Sequence, residues 1–239
     1  MANPLKKIQQ VSADYKQLDA KDRKKFWVDG ILNNALYILM AVFIIYTASV
    51  RENFLTLGSF ANLITQVAAY LPMALGIAGT IVLTGTDLSA GRVSGLTAAF
   101  AAVMLQKADF ANKMFAMLPE VTIGWILVVM LGVILIGAVI GLVNGYFVAK
   151  FSLHPFIVTL STQLITYGII LWFFGLNGNN GQPFSGLDKQ YKEFVGGEMF
   201  RLGNVAVPMY VLYAVILVAV MWFVWNKTAF GKNMFAVGS

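Results

Sequence analysis

From Val121 to Ala149 this chain runs for 29 residues without a charged side chain. Residues 30–50, 53–86, 151–187 and 202–226 are likewise free of charge. A hydrocarbon core about 30 Å thick is crossed by roughly 20 apolar residues in a helix, and a soluble domain has no need of so many runs of that length. Composition agrees: 59% of the residues are hydrophobic and 12% charged, about half the roughly 25% charged content of a soluble domain. Backbone groups inside lipid must pair within their own segment or close into a barrel, and the runs lack the period-two alternation of barrel strands. The expected fold is therefore an all-α polytopic integral membrane protein with about six transmembrane helices, one of them short or broken.

The six expected spans are Ile31–Val50, Ala61–Leu83, Val93–Leu105, Thr122–Ala149, Pro155–Phe174 and Val207–Trp225. The third has 13 residues, too few to cross alone; either it borrows residues 85–92 or it is broken and buried among its neighbours. Pro72 predicts a kink or local break in the second span, and Pro155 suits the first turn of the fifth. Ahead of these lies a basic arm, residues 1–30, with the membrane domain occupying 31–239. The arm carries Lys6, Lys7, Lys16, Lys21, Arg23, Lys24 and Lys25, so the positive-inside tendency puts the N-terminus in the cytoplasm. With six crossings the inside segments then hold eleven Lys and Arg and the outside segments six.

The arm is too long and polar for a secretory signal, and no small-residue cleavage site follows the first span. The net charge of +6 accords with anionic headgroups of the lipid bilayer rather than with nucleic acid, since no surface of interleaved aromatic and basic residues accompanies it. There is no cysteine and one histidine, which excludes disulfides and thiolate or histidine metal sites; no cofactor or metal is expected. His154, beside Pro155, fits a cap or an interfacial position.

Within this apolar chain the stretch "LTGTDLSAGRVSG" (83–95) sets Asp87 and Arg92 five positions apart. Ionisable groups at membrane depth are costly and by default face a cavity, a partner or a pathway. Asp87, with Ser89, is expected to cap the third helix, with Arg92 pairing with it or reaching the headgroups. Thr86, Asp87, Ser89, Arg92, Asn144, Thr159 and Gln163 are the candidates for a substrate pathway or gate. Thr159, Thr162, Gln163 and Asn144, each taken by itself, read more often as helix-to-helix hydrogen bonds. Small residues four apart, Gly137–Gly141–Gly145 and Gly91–Gly95–Ala99, predict faces for close helix packing, within one subunit in preference to a dimer seam. The segment 175–206 is longer than most loops; it reads as a lid, a docking surface or a plain excursion, with a short helix over "LDKQYKEFV".

Three stretches in order, "GTDLSAG" (85–91), "GLVNGYFVAKFSLHPFIVTLSTQLITYGI" (141–169) and "TAFGKNMFAVGS" (228–239), resemble the signature stretches of permease subunits of bacterial sugar ABC importers, the branch of ribose, xylose and galactose systems. The wording of the first is most similar to the galactose members, although Thr86 and Ala90 stand where the family more often has isoleucine and valine. The resemblance implies a permease of a bacterial cytoplasmic membrane that moves a monosaccharide inward by alternating access. It further implies an ATP-binding subunit, a second permease subunit and an extracytoplasmic sugar-binding protein as partners. Thr228, Phe230, Gly231, Lys232 and Gly238 would lie in the stretch leading to the ATPase. Family members continue past the third stretch into further spans, so the chain is expected to correspond to the greater, N-terminal part of a permease.

No G-x-x-x-x-G-K-[ST] loop occurs in the sequence, so ATP hydrolysis is expected in a partner and the chain itself is not expected to be an enzyme. A membrane enzyme would need convergent acids and bases, for which the Asp87–Arg92 region is the one intramembrane candidate. A channel or scaffold without ATP coupling is the remaining alternative.

Overall fold

The computed structural model describes residues 19–238, so the first part of the arm, with Lys6, Lys7 and Lys16, lies outside the described residues, as does Ser239. The chain divides into two units, residues 1–59 and 60–239.

The first unit holds helices α1 (Ala20–Asn33) and α2 (Ala35–Val50). The predicted arm thus becomes helical at Ala20, ten residues before its expected end, because Ala, Lys and Arg favour helix and Asp22 sits in the first turn. The two helices meet at 69°. The break falls at Asn34, whose side-chain amide donates to the carbonyl of Gly30 at 2.8 Å while its own N–H reaches the same oxygen at 3.2 Å. No residue of α2 is buried. Its hydroxyls are satisfied locally, Thr47 donating to the carbonyl of Phe43 at 2.7 Å and Ser49 to that of Ile45 at 2.9 Å, as a helix with apolar surroundings requires.

The second unit takes most of α3 (Leu57–Val82), then α4 (Ala90–Met104), α5 (Ile123–Phe151), α6 (Pro155–Gly175), α7 (Lys189–Gly196), strands β1 (Glu198–Leu202) and β2 (Val205–Pro208), α8 (Met209–Lys227) and α9 (Ala229–Gly238). Helices α3, α5, α6 and α8 are long and apolar enough to cross a membrane, and the bent α1–α2 pair makes a fifth. Among the described residues that gives four helices of spanning length, or five with the bent pair taken as one span, and the short α4 stands where the third span is expected. The third span is broken rather than completed: α4 begins at Ala90, and residues 83–89 are not helical. Of the kink or local break expected at Pro72, the break does not occur: α3 runs on through Pro72 as one helix. Pro155 does open α6, and His154 caps it by accepting the N–H of Phe156 at 3.3 Å.

The connections pack at two ends of this unit. At one end the chain leaving α4 is clasped to the segment after α6. Buried Gln106 donates to the carbonyl of Ser185 at 3.0 Å and accepts the N–H of Met114 at 2.9 Å, and Asp188 N–H reaches the carbonyl of Leu105 at 2.9 Å. Leu105, Val121, Ile126 and Val129 form a core there, covered by Leu187, Tyr191 and Phe194. Segment 175–206 is therefore held down on the helix ends. It contains the expected short helix, α7, capped by Asp188. It also contains a hairpin that the all-α expectation omitted, in which Leu202 and Val205 pair around Gly203 at φ +61°. Ala61 and Ala68 of α3 pack with Val207, Val211 and Ala214 in a second core. Val207 and Pro208, expected to start the last span, belong to β2, and α8 starts at Met209.

At the other end the broken segment 83–89, the α5–α6 connection and α9 converge. A side chain at Gly85 would touch the Pro155 ring at 3.5 Å. One at Gly231 would overlap the carbonyl of Trp225, and one at Gly238 the carbonyl of Val82, so α9 is tucked against the ends of α8 and α3. Lys227 lies 5.6 Å over the ring of Trp222, an arrangement suited to the level of the headgroups.

Candidate functional site

The broken segment is made by a helix end of defined geometry. Thr84 N–H reaches the carbonyl of Ile81 and Gly85 N–H that of Thr80, each at 2.9 Å, the paired bonds of a Schellman ending. The left-handed position of that ending is taken by Thr84, at φ +57°, where a β-branched residue is strained. The chain then turns back through Thr86 and Asp87 to start α4.

Asp87 does not cap α4 itself: the residue before the helix is Ser89, which receives no side-chain cap bond, and Asp87 instead closes the turn that leads into it. Its carboxylate accepts the N–H of Ser89 at 2.8 Å and the hydroxyl of Ser89 at 2.7 Å. Ser89, itself 2% exposed, also accepts the side-chain amide of Asn144 on α5 at 3.3 Å, and the amide oxygen of Asn144 accepts the hydroxyl of Thr162 on α6 at 2.5 Å. A second tie runs from α6: the buried hydroxyl of Thr159 accepts the N–H of Leu88 at 3.2 Å and lies 3.1 Å from the carbonyl of Thr86. Four of the predicted residues, Asp87, Ser89, Asn144 and Thr159, and the backbone of Thr86 are thus one hydrogen-bonded joint between the break, α5 and α6. Such bonds in a membrane bundle contribute about 0.6 kcal/mol each on average.

The joint forms one wall of a cleft of about 410 Å³ between α3, α4 and α5, within the size range of small-molecule sites, about 300–1,000 Å³. Asp87, Ser89, Ser94, Thr97 and Asn144 give it polar groups, and Pro72, Ile77 and Ile134 an apolar side. Gly137 and Gly141 also line it. A methyl group at Gly137, Gly141 or Gly145 would meet no atom of the chain within 4 Å, so the expected close packing of this stripe within the subunit is not realised: its glycines face the cleft and open space. On α4 the stripe behaves differently. A methyl group at Gly95 would touch Ile170 of α6 at 3.6 Å and Ala99 is buried, whereas Gly91 meets nothing.

Arg92 does not pair with Asp87. Its guanidinium carbon lies 4.4 Å over the ring centroid of Tyr167 on α6, and the ion pairs Lys107–Asp109, Lys189–Glu193 and Arg201–Glu198 all lie at the opposite, hairpin end. Tyr167 is a partner that the sequence reading missed, because 75 positions separate it from Arg92 and no local pattern joins them. Half-buried Gln163 stands one turn before Tyr167, outside the joint. A cation–π contact contributes about 0.5–2 kcal/mol, less than the roughly 2.5–3.5 kcal/mol that an arginine at the centre of a bilayer costs.

At the hairpin end, the hydrogen bond from Arg201 holds the exposed Glu198 carboxyl below its usual value, and burial pushes the Tyr191 hydroxyl up. Just ahead of α9, Thr228 accepts the N–H of Gly231 at 3.3 Å. Gly231 and Met234 are buried, while Phe230, Lys232 and Phe235 are exposed.

Residues 59–239 match the family described as the branched-chain amino acid transport system permease component. The chain belongs to this permease family. Along this permease chain, 215 residues are 41% identical to the galactose/methyl galactoside import permease of Escherichia coli, covering 90% of the chain and 62% of that relative. The galactose/methyl galactoside import permease of Haemophilus influenzae is 39% identical over 210 residues, 88% of the chain and 61% of the relative. The ribose import permease of Bacillus subtilis is 28% identical over 219 residues, 91% and 61%. The chain thus spans about three fifths of the length of these relatives. These likenesses bear out the resemblance carried by the three motifs and the reading of the chain as a polytopic membrane protein. No solved structure matches this permease chain.

Proposed function

We propose that this chain is the transmembrane permease subunit of an ABC importer that moves a monosaccharide, galactose, methyl galactoside or a similar sugar, into the cytoplasm by alternating access. The observation that carries the reading is the 41% identity to a galactose/methyl galactoside import permease across 90% of the chain. The polar cleft at a break in the membrane bundle supports it, since irregular backbone at membrane depth is tolerated where it is buried in protein or lines a water-filled cavity.

In this reading Asp87, Ser89 and Asn144 form part of the sugar pathway or its gate. A separate ATP-binding subunit supplies the work, an extracytoplasmic sugar-binding protein delivers the ligand, and a second permease subunit completes the pathway. The chain sits in the cytoplasmic membrane with its N-terminus inside, as the seven Lys and Arg of residues 1–30 favour. The end bearing the break and α9 then faces the cytoplasm, where Phe230, Lys232 and the rest of α9 lead towards the ATPase.

The test is uptake of labelled galactose by cells of the source before and after deletion of the gene, with re-expression of the intact gene as control. Loss of ATP-dependent uptake and its recovery are expected. Unchanged uptake of galactose and methyl galactoside would refute the substrate assignment, and co-purification without any ATP-binding subunit would refute the ABC assignment.

A further inference from the structure

Arg92 lies in an unusual place for a cation. Tyr167, over whose ring its guanidinium rests at 4.4 Å, is the thirteenth of the 21 residues of α6, which puts it about 18 Å from one end of that helix and about 12 Å from the other at 1.5 Å per residue. The guanidinium is therefore held beside the middle of a helix long and apolar enough to cross a membrane. Its five N–H groups have no hydrogen-bond acceptor among the described residues, and it joins no ion pair there. The Tyr167 hydroxyl and the Gln163 amide, neighbours one turn apart on α6, also make no hydrogen bond with a described residue, and Arg92 and Tyr167 are exposed.

Unsatisfied polar groups facing hydrocarbon cost more than one aromatic face returns to a cation. Something outside these residues must therefore satisfy all three side chains. By helical periodicity Arg92 points away from Ser94 and Thr97, which line the Asp87 cleft, so this is a second polar surface rather than an extension of the first.

We infer that Arg92, Gln163 and Tyr167 form a hydrated surface at mid-membrane depth, on the side of α4 away from the Asp87 cleft, that contacts a polyhydroxylated ligand during its passage. Water satisfies the three groups when no ligand is present. The guanidinium and the phenol and amide hydrogens then donate to hydroxyl and ring oxygens, and no carboxylate is present to demand a cationic ligand. The choice of a sugar as ligand rests on the proposed function; the hydration of the surface does not.

The absence of cysteine from the sequence allows a direct test in membranes containing the assembled chain. Gln163→Cys and Tyr167→Cys are to react with a water-soluble, charged methanethiosulfonate at least about tenfold faster than Leu164→Cys, because reaction requires a thiolate in water. Galactose is to slow the reaction at both positions. Labelling that galactose leaves unchanged would overturn the ligand contact while the hydrated surface stands. No labelling until the membranes are dissolved in detergent would overturn the hydrated surface. In that case oxidative cross-linking of Tyr167→Cys between copies would assign the face to a second copy of the chain. Accessibility is read without transport, so failure of the import reading leaves the labelling result intact.

Discussion

The carboxylate of Asp87 accepts both the backbone N–H of Ser89, at 2.8 Å, and its hydroxyl, at 2.7 Å. One acidic side chain thereby closes the turn into α4 and orients the hydroxyl that meets Asn144. If the contact only closes the turn, Asp87→Asn keeps an acceptor oxygen and loses little, whereas Asp87→Ala lowers stability by about 1 kcal/mol. Thermal unfolding of the purified variants in detergent reads that difference. Sugar uptake, normalised to assembled complex, reads the second role: a gate that needs the charge fails in Asp87→Asn despite a normal melting temperature. Near-normal uptake by Asp87→Asn would leave the turn-closing role alone standing.

Thr159 is the counterpart of Asp87 on α6. Its hydroxyl accepts the N–H of Leu88 and lies within hydrogen-bond distance of the carbonyls of Thr86 and Pro155. Thr159→Val keeps the shape and leaves a backbone donor without its partner, at a cost of about 1–3 kcal/mol. Thr159→Ser is expected to recover most of that loss. Equal melting temperatures for the valine and serine variants would show that the hydroxyl does not hold the break.

How much of this was legible in the sequence depends on the range of the interactions. The long apolar helices follow from uncharged runs alone: α5 begins at Ile123 after its cap Thr122, and α6 begins at Pro155, both within a residue of expectation. The local role of Asp87 was legible because its bond acts two residues away, although it closes the turn before α4 and does not cap the helix itself. The hairpin at 198–208 was missed although a Gly-Asn pair between apolar residues is a turn signal, because the polar, glycine-rich composition of the preceding loop overshadowed it. The bend at Asn34 lacked a proline or glycine to mark it. The Arg92–Tyr167 contact and the open face of Gly137 and Gly141 depend on how α4, α5 and α6 assemble, which no local periodicity encodes.

Thr84 offers a test of strain at the helix end. A threonine at φ +57° occupies the left-handed region at a cost of roughly 1–2 kcal/mol, and asparagine tolerates that region better. Thr84→Asn is therefore expected to raise stability by up to about 1 kcal/mol. A lower melting temperature would mean that the threonine hydroxyl, which donates to the carbonyl of Leu83 at 2.7 Å, contributes more than the backbone strain costs.

The glycines divide into two groups with opposite expected responses. Gly137→Ala and Gly141→Ala place a methyl group where nothing of the chain lies within 4 Å, so within this chain each gains the helix preference of alanine, about 1 kcal/mol. Gly231→Ala and Gly238→Ala drive a methyl group into the carbonyls of Trp225 and Val82, so α9 must move off the ends of α8 and α3. Limited proteolysis after Lys227 or Lys232 is expected to quicken in the second pair and not in the first. If Gly137→Ala or Gly141→Ala instead lowers stability in the assembled complex but not in the isolated chain, another subunit occupies the open face of α5.

Sidedness follows from the two ends of the bundle. Lys232 lies on α9, which a close approach of Gly238 ties to Val82 beside the break, while Ser185 lies on the segment clasped by Gln106 beyond the far end of α4. Single cysteines at these exposed positions stand on a background without native thiols. In sealed vesicles of known orientation an impermeant maleimide is expected to reach Ser185→Cys from the extracytoplasmic face only and Lys232→Cys from the cytoplasmic face only. Reaction of both from one face would contradict the fold's separation of its ends. Reaction from opposite faces in the reversed sense would keep the fold and overturn the orientation drawn from the distribution of lysine and arginine. The two results are distinguishable because the first concerns whether α4, α5 and α6 cross the bilayer between the two positions, and the second concerns only which side the crossing begins from.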